Sequence, residues 1–389
     1  MRLFVSKILA VFGVIGDSQV SQAGQPYRHS LMLCCVCMLG WPRLNSLHSF
    51  STGSGLFEFR LDSPQRGALT EVFQTMRIGV VTGGSIEDLV WAQDLDFRSI
   101  EWMRFHSGPA GPGHKDWKPF AEKFAAEAKA RDLRISAIGA YYQNPLDPKQ
   151  TEFAGAAFRR AIEVAAHVGV KTVAGFAGAV IETEWDERGG HVIYKPFENY
   201  LPQVLAFWEP LAHFAADKGV RIAFEHCPQG AYHLPVMHYN ILGQPAMWER
   251  LFNATKCENI GIEWDASHLV CQLIDPIANL RKFGSRIFHV HAKDAYIHRQ
   301  LLEVYGICHP GVAEHRFPGL GQANWAEIIH ALVRAGYDSD LNIEGQHDPV
   351  FRDHDSNART PLAGQKLEHA GLLIAKRTLE QYVPTTARR

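Results

Sequence analysis

Four short apolar runs in the second half of the chain each close on a residue able to hold a divalent cation. RIAFEHCP reaches Glu225, NIGIEWDASH reaches Asp265, RIFHVHAKD reaches His291 and DLNIEGQHDP reaches Glu344. Three carboxylates and one imidazole make a hard, oxygen-rich donor set that suits Mn²⁺, Mg²⁺ or Co²⁺, with coordination positions left over for substrate oxygens. Taken singly, each residue has a plainer use. Glu225 or Glu344 alone fits a charge paired at a rim, Asp265 fits an N-cap for a turn at 266–269, and His289 and His291 fit hydrogen-bonded core histidines. What favours a metal site is that four ligand-type residues end four separate apolar runs. His289 and His291 alternate, so they share one side of their strand and one environment.

The elements that must position these residues repeat with little ambiguity from Met76 onward. The runs RIGVVT, RSIEWMRF, LRISAIGA and KTVAGFAG precede the four ligand-bearing ones, which makes eight strand candidates. Between them lie segments with apolar residues at three- and four-residue spacing, among them KPFAEKFAAEAKARD, FAGAAFRRAIEVAAHVG and NWAEIIHALVRAG. Gly169, Gly219 and Gly336 stand where left-handed helix caps belong, and a last helix is expected over 360–383. Eight βα units in this length predict a (β/α)8 TIM barrel, a single α/β domain over 76–389 with its chemistry at the C-terminal strand ends. A doubly wound open sheet is the rival, weakened because Gly83 and Gly84 do not complete a Gly-x-Gly-x-x-Gly turn. Residues 1–75 differ in character. MRLFVSKILAVFGVIG reads like a signal segment and SLMLCCVCMLG is too short to span a bilayer, so this stretch is expected to be a poorly structured N-terminal extension or leader.

Bulk composition narrows the function classes. The chain has 389 residues, is 46% hydrophobic and 21% charged, and carries a formal net charge of −2. That is globular composition with no global attraction for nucleic acid or anionic membrane, so a small-molecule substrate, no nucleic-acid partner and no membrane partner are expected, with homo-oligomerisation compatible. The seven cysteines form no paired Cys-x-x-Cys hooks of the kind that hold zinc, and their odd number argues against a full disulfide framework, which points to free thiols in a reducing, cytoplasmic setting. Twenty histidines, most of them after Gly189, raise the expectation of a metal.

On the segments FEHCP, EWDASH, HVHAKD and NIEGQHD the chain resembles the sugar phosphate isomerase/epimerase family, the xylose-isomerase-like barrels that include ketose 3-epimerases, inosose dehydratase and hydroxypyruvate isomerase. The resemblance spans residues 76–383. It implies a metal held by Glu225, Asp265, His291 and Glu344, with Mn²⁺ preferred and Mg²⁺, Co²⁺ or Zn²⁺ as alternatives. It implies substrate contacts at His268, three residues after Asp265, and at Arg316, ahead of the Pro-Gly-x-Gly in HRFPGLGQANW. It also implies proton transfer through an enediolate, with Glu225 and Glu344 as base and acid on opposite faces of a sugar carbon. A single competent base, or a hydroxyl placed to leave, turns the same site towards dehydration of the inosose dehydratase type.

One departure bears on the substrate: ketose 3-epimerases carry a further Glu where this chain has Ala231, with His226 and His233 nearby. The segment 296–321, with His298, Arg299, His309, His315 and Arg316, is expected to form a lid or a solvated loop. Glu101 and His106, after the second strand, could line the pocket, with a rim or surface role favoured for each, and Tyr141, Tyr142 and Asn144 are expected in a sugar-facing or packing loop. Trp102, Trp264 and Trp325 are expected in the core. Two other functions stay open: an endonuclease-IV-type repair enzyme, disfavoured because the third strand ends in AYYQN without a histidine, and a sugar-binding barrel without catalysis.

Overall fold

Short runs of Val, Ile, Phe and Ala, apolar on both faces, are strands made for a sheet covered on both sides. The computed structural model describes residues 76–383 apart from 104, 142, 143, 180–182, 187–190, 195, 196, 229–239, 308 and 346. The expectations for 1–75, Tyr142, Ala231 and His233 lie outside the described residues. The barrel strands are β1 (Ile78–Thr82), β2 (Ser99–Trp102), β3 (Arg134–Gly139), β4 (Thr172–Gly175), β7 (Arg221–Glu225), β8 (Ile260–Asp265), β9 (Ile287–Ala292) and β12 (Leu341–Ile343). They close in the order β1-β12-β9-β8-β7-β4-β3-β2, all pairings parallel. All eight expected strands are therefore present in one closed TIM barrel.

Two antiparallel hairpins extend it, β5 (Thr183–Asp186) with β6 (His191–Tyr194), and β10 (Asp294–Ile297) with β11 (Ala313–Arg316). The second, with a short helix between its strands, takes up most of the segment 296–321. Helices cover the outside: α1 (Ile86–Asp94), α2 (Lys118–Ala130), α3 (Thr151–Val168), α4 (Phe197–Ala216), α5 (Pro245–Ala254), α6 (Ala266–Cys271), α7 (Pro276–Phe283), α8 (Arg299–Tyr305), α9 (Trp325–Arg334) and α10 (Glu368–Glu380). Local chemistry sets their ends. Ser85 and Asp88 form a capping box at the start of α1, and Gly169, Gly219 and Gly336 all have positive φ. The expected helix over 360–383 is shorter than its pattern, since α10 begins only at Glu368. Pro361 has no N–H to give, Gly364 turns left-handed at φ +75° and Lys366 bridges Asp353, so the chain before α10 is a turn.

The main core lies between strands and helices, where Trp102, Trp208, Trp248, Trp264 and Trp325 are buried. Inside the barrel the lining is unusually polar for a TIM core. Two β-bulges contribute. In β3, Ser136 is the extra residue opposite the β2 step from Ile100 to Glu101, and in β9 Phe288 is the extra residue opposite the β8 step from Ile262 to Glu263. Phe288 covers Gly261, where a Cβ would collide with its ring. At the N-terminal floor the buried Asp340 carboxylate accepts from the Arg77 backbone N–H at 2.8 Å, Ser99 Oγ at 2.7 Å and Arg134 Nε at 2.7 Å, tying the start of β12 to the starts of β1, β2 and β3.

Candidate metal centre

At the C-terminal end of the barrel, β7 closes on Glu225, β8 on Asp265, and β9 carries His291 one residue from its end, while Glu344 follows β12. The strand registers put Asp265 opposite His291, Glu225 opposite Glu263 two residues earlier in β8, and Asn342, two residues before Glu344, opposite His291. One donor atom from each of Glu225, Asp265, His291 and Glu344 lies within 4.8 Å of every other, and all four residues are buried. The structure thus assembles the four expected ligands in one place.

Each donor is oriented by something else. Asp265 is both N-cap and pocket carboxylate: Oδ1 accepts from the Ser267 N–H at 2.8 Å, which leaves Oδ2 to face the site. The Asp265 N–H in turn donates to His226 Nε2 at 3.0 Å. Burial, then the positive charge of His268, pushes the His226 imidazole down to about 3, so it is neutral and able to accept. His291 Nε2 meets Glu101 Oε2 at 2.6 Å, while Nδ1 makes no hydrogen bond and stands 3.5 Å from Glu225 and 3.4 Å from Glu344. With Nε2–H given to Glu101, Nδ1 is the nitrogen that faces the site; burial opposes the charge of the imidazole, but Glu263 and Glu101 hold it protonated, well above the ordinary histidine value. That carboxylate–imidazole arrangement orients histidine ligands in metal sites generally.

The residues fit a divalent cation. Oxygens of three carboxylates and one imidazole nitrogen turned to the site converge in a buried pocket, and His291 Nδ1, which makes no hydrogen bond, is where an ion would take the place of a proton. His268, the expected substrate contact, joins the cluster, with Nε2 3.2 Å from Glu225 Oε1 and 3.1 Å from Asp265 Oδ2. Burial would lower its imidazole, but Asp265 and Cys227 raise it to about 10. Arg316 is placed otherwise: its Nε is held by Asp348 Oδ2 at 2.9 Å on β11, and its strand neighbour His315 is the residue whose ring approaches His268, at 5.3 Å.

Several functional-looking residues escaped the sequence reading. Lys293 is buried, bonded to Glu344 and 2.9 Å from Asp265 Oδ2. Burial opposes its charge, but Asp265, Glu344 and Glu225 keep it an ammonium well above the ordinary lysine value. Reciprocally, burial would raise Glu344 and Glu225, yet Lys293 and His291 hold the first, and His268 and His291 the second, below the usual carboxylate range. Glu101 is fully buried against His291, which corrects its expected rim position. Beneath the ligands, Glu263 meets His289 Nδ1 at 2.6 Å, and His289 Nε2 meets Ser136 Oγ at 3.0 Å. Burial and the neighbouring Glu101 raise the Glu263 carboxyl. Strand alternation was the available signal, since 289, 291 and 293 share one side, as do 263 and 265.

A family model described as a xylose isomerase-like TIM barrel matches residues 89–369, more than half the chain. The uncharacterised protein YfiH of Bacillus subtilis is 27% identical over 239 residues, 57% of this chain and 74% of that protein. Inosose dehydratase of Lacticaseibacillus casei is 29% identical over 108 residues, 26% of this chain and 36% of that enzyme. Among solved structures, the IOLI protein with a bound zinc atom superposes with TM-score 0.55 at 18% identity, covering 79% of this chain and 99% of that one. At that identity the likeness is one of fold.

Proposed function

Since the chain belongs to the xylose isomerase-like TIM barrel family, we propose that it is a divalent-metal-dependent isomerase or epimerase acting on a sugar, a sugar phosphate or a related hydroxy-carbonyl compound. The observation that carries this reading is the convergence of Glu225, Asp265, His291 and Glu344 in one buried pocket. The zinc of the IOLI neighbour supports a metal there, and the oxygen-rich donor set favours Mn²⁺ over Zn²⁺. A bound cation supplies Lewis acidity, polarising a carbonyl so that the neighbouring C–H becomes acidic.

The chain's own residues do the rest. Glu225 and Glu344 have depressed carboxyls and stay ionised, so each is available as a base. One takes the proton next to the carbonyl and, now a carboxylic acid, returns it to the adjacent carbon in an isomerisation; in an epimerisation the other carboxylate first takes up a proton from solvent and gives that proton to the opposite face. His268 Nε2, charged and beside both Glu225 and Asp265, donates to a substrate oxygen. Arg316, positioned by Asp348, is assigned the outer oxygens of the substrate. Burial keeps competing water away from these groups.

Glu344→Gln tests the assignment. Incorporation of solvent deuterium into a panel of ketoses, inososes and keto acids with Mn²⁺ should fall by about 10²–10⁴-fold, the range for removing a positioned acid–base group. Exchange persisting at the wild-type rate would show that Glu344 moves no proton. A second reading, dehydration of the inosose dehydratase type, is favoured by the curated relative of that name. Product analysis separates the two: loss of water marks the dehydratase, and a product of unchanged mass marks the isomerase.

A further inference from the structure

The ligand set contains a lysine that a metal site does not need. Asp265 has one oxygen to offer a cation, Oδ2, because Oδ1 caps Ser267. Lys293 Nζ already stands 2.9 Å from that same Oδ2, is bonded to Glu344 Oε2, and lies 3.5 Å from His268 Nε2. The ammonium therefore sits on two of the four donors that would close around an ion. If it remained there, an ion reaching Asp265 Oδ2 would share that oxygen with the ammonium, and the two positive charges would repel at close range in a buried pocket. Nor is it an accident of an exposed side chain. Lys293 is 2% exposed and follows His289 and His291 at alternate positions, so the strand itself aims it at the pocket.

We propose that Lys293 is the resident counter-cation of this site: it holds Asp265 and Glu344 together in the metal-free protein and leaves them when a divalent ion enters, so that ion uptake is an exchange of cations. This rests on the metal-dependent reading above and adds a property of the chain to it. Buried carboxylates without a counter-charge are costly, so the lysine keeps the pocket assembled when empty. It also weakens ion binding in proportion to the time it occupies the donors, because only the fraction with the ammonium withdrawn is competent.

The test is Mn²⁺ titration calorimetry of the full chain, wild type against Lys293→Met, with melting temperatures of the metal-free proteins. In the variant, Mn²⁺ should bind at least about tenfold more tightly, the gain expected if the ammonium occupies the donors nine-tenths of the time, and the metal-free protein should melt lower. Equal or weaker Mn²⁺ binding overturns the proposal. If Lys293→Met does not fold, Lys293→Arg replaces it: a guanidinium grips the two carboxylates more firmly, so Mn²⁺ should bind more weakly, and unchanged or tighter binding overturns the exchange. A structure of the Mn²⁺-loaded wild type separates exchange from simple repulsion, because Nζ still within hydrogen-bond distance of Asp265 Oδ2 beside the ion overturns it. Failure of wild type to take up Mn²⁺, Co²⁺ or Zn²⁺ overturns the metal reading itself, which is a distinguishable result.

Discussion

Asp340 and Glu344 flank the same short strand, β12, and are both buried carboxylates, yet they live in opposite kinds of surroundings. At the floor, Asp340 is fully used: one backbone N–H, one serine hydroxyl and the Arg134 guanidinium meet it, and Arg134 keeps about a third of its side chain in solvent. At the mouth, Glu344 shares a pocket with two more carboxylates and with Lys293, His268 and His291, all buried. One carboxylate finished by its partners is a latch, binding the end of the barrel to its beginning. Six ionisable groups taken out of water together carry a large desolvation cost, and their mutual pairing only partly offsets it. The difference teaches where each job is done: the N-terminal end of the barrel holds the chain closed, and the C-terminal end is kept under electrostatic tension for a ligand.

The largest effect should come from cutting the latch. Asp340→Ala removes the shared partner of Arg77, Ser99 and Arg134 and should cost about 3–5 kcal/mol of stability, as breaking buried pairs does, with the lower figure favoured because Arg134 can rehydrate. Urea unfolding measures it. Mn²⁺ affinity of the folded fraction should stay unchanged. A large loss of Mn²⁺ affinity with little loss of stability would mean that the two ends are not separate in function.

The two ends were also unequally legible. Strand number and the convergence of Glu225, Asp265, His291 and Glu344 could be read because apolar runs end where a barrel's chemistry begins, and the end residue of each run was the informative one. Asp265 could be read as either cap or ligand; its Oδ1 caps Ser267, and the residue also supplies a donor to the four-residue cluster. Lys293 was missed, and Glu101 was read as more at home on the rim than in the pocket, for one physical reason: a charged residue just past or inside a strand looks solvated until its partners are known, and those partners lie 25 to 190 positions away in sequence. Asp340 was missed likewise, since its latch joins residues 206 and more positions apart. The bulge that sends Ser136 under His289 leaves no periodicity mark, because one extra residue looks like any other in a six-residue run.

A smaller effect probes the tension at the mouth through pH. The His226 imidazole titrates at about 3 in the folded chain, against 6.5 for the ordinary value. Between those values the unfolded chain binds more protons, so the stability tied to neutral His226 is present above about 6.5 and is lost as the pH falls. From pH 7 to pH 5 that loss amounts to about 2 kcal/mol by linkage. His226→Gln keeps an acceptor for the Asp265 N–H and cannot be charged. Its stability deficit relative to wild type should therefore shrink by about 2 kcal/mol between pH 7 and pH 5. His268, raised rather than lowered, shifts stability in the opposite direction in both proteins and cancels from the difference. A pH-independent deficit would mean that His226 is merely packed.

The smallest effect belongs to the floor again and asks whether it acts as a unit. Ser99 Oγ donates to Asp340 Oδ2, an oxygen that also accepts from Arg134 Nε. Ser99→Ala thus removes one hydrogen bond without leaving the carboxylate bare, and should cost about 1 kcal/mol. Made together with Asp340→Ala, the same change should cost close to nothing, because its partner is already gone. The coupling energy from that double-mutant cycle should then be about 1 kcal/mol. If Ser99→Ala cost as much without Asp340 as with it, the serine would be stabilising β2 by some other route. The floor would then be a set of separate contacts, and its contrast with the interdependent groups at the mouth would fail.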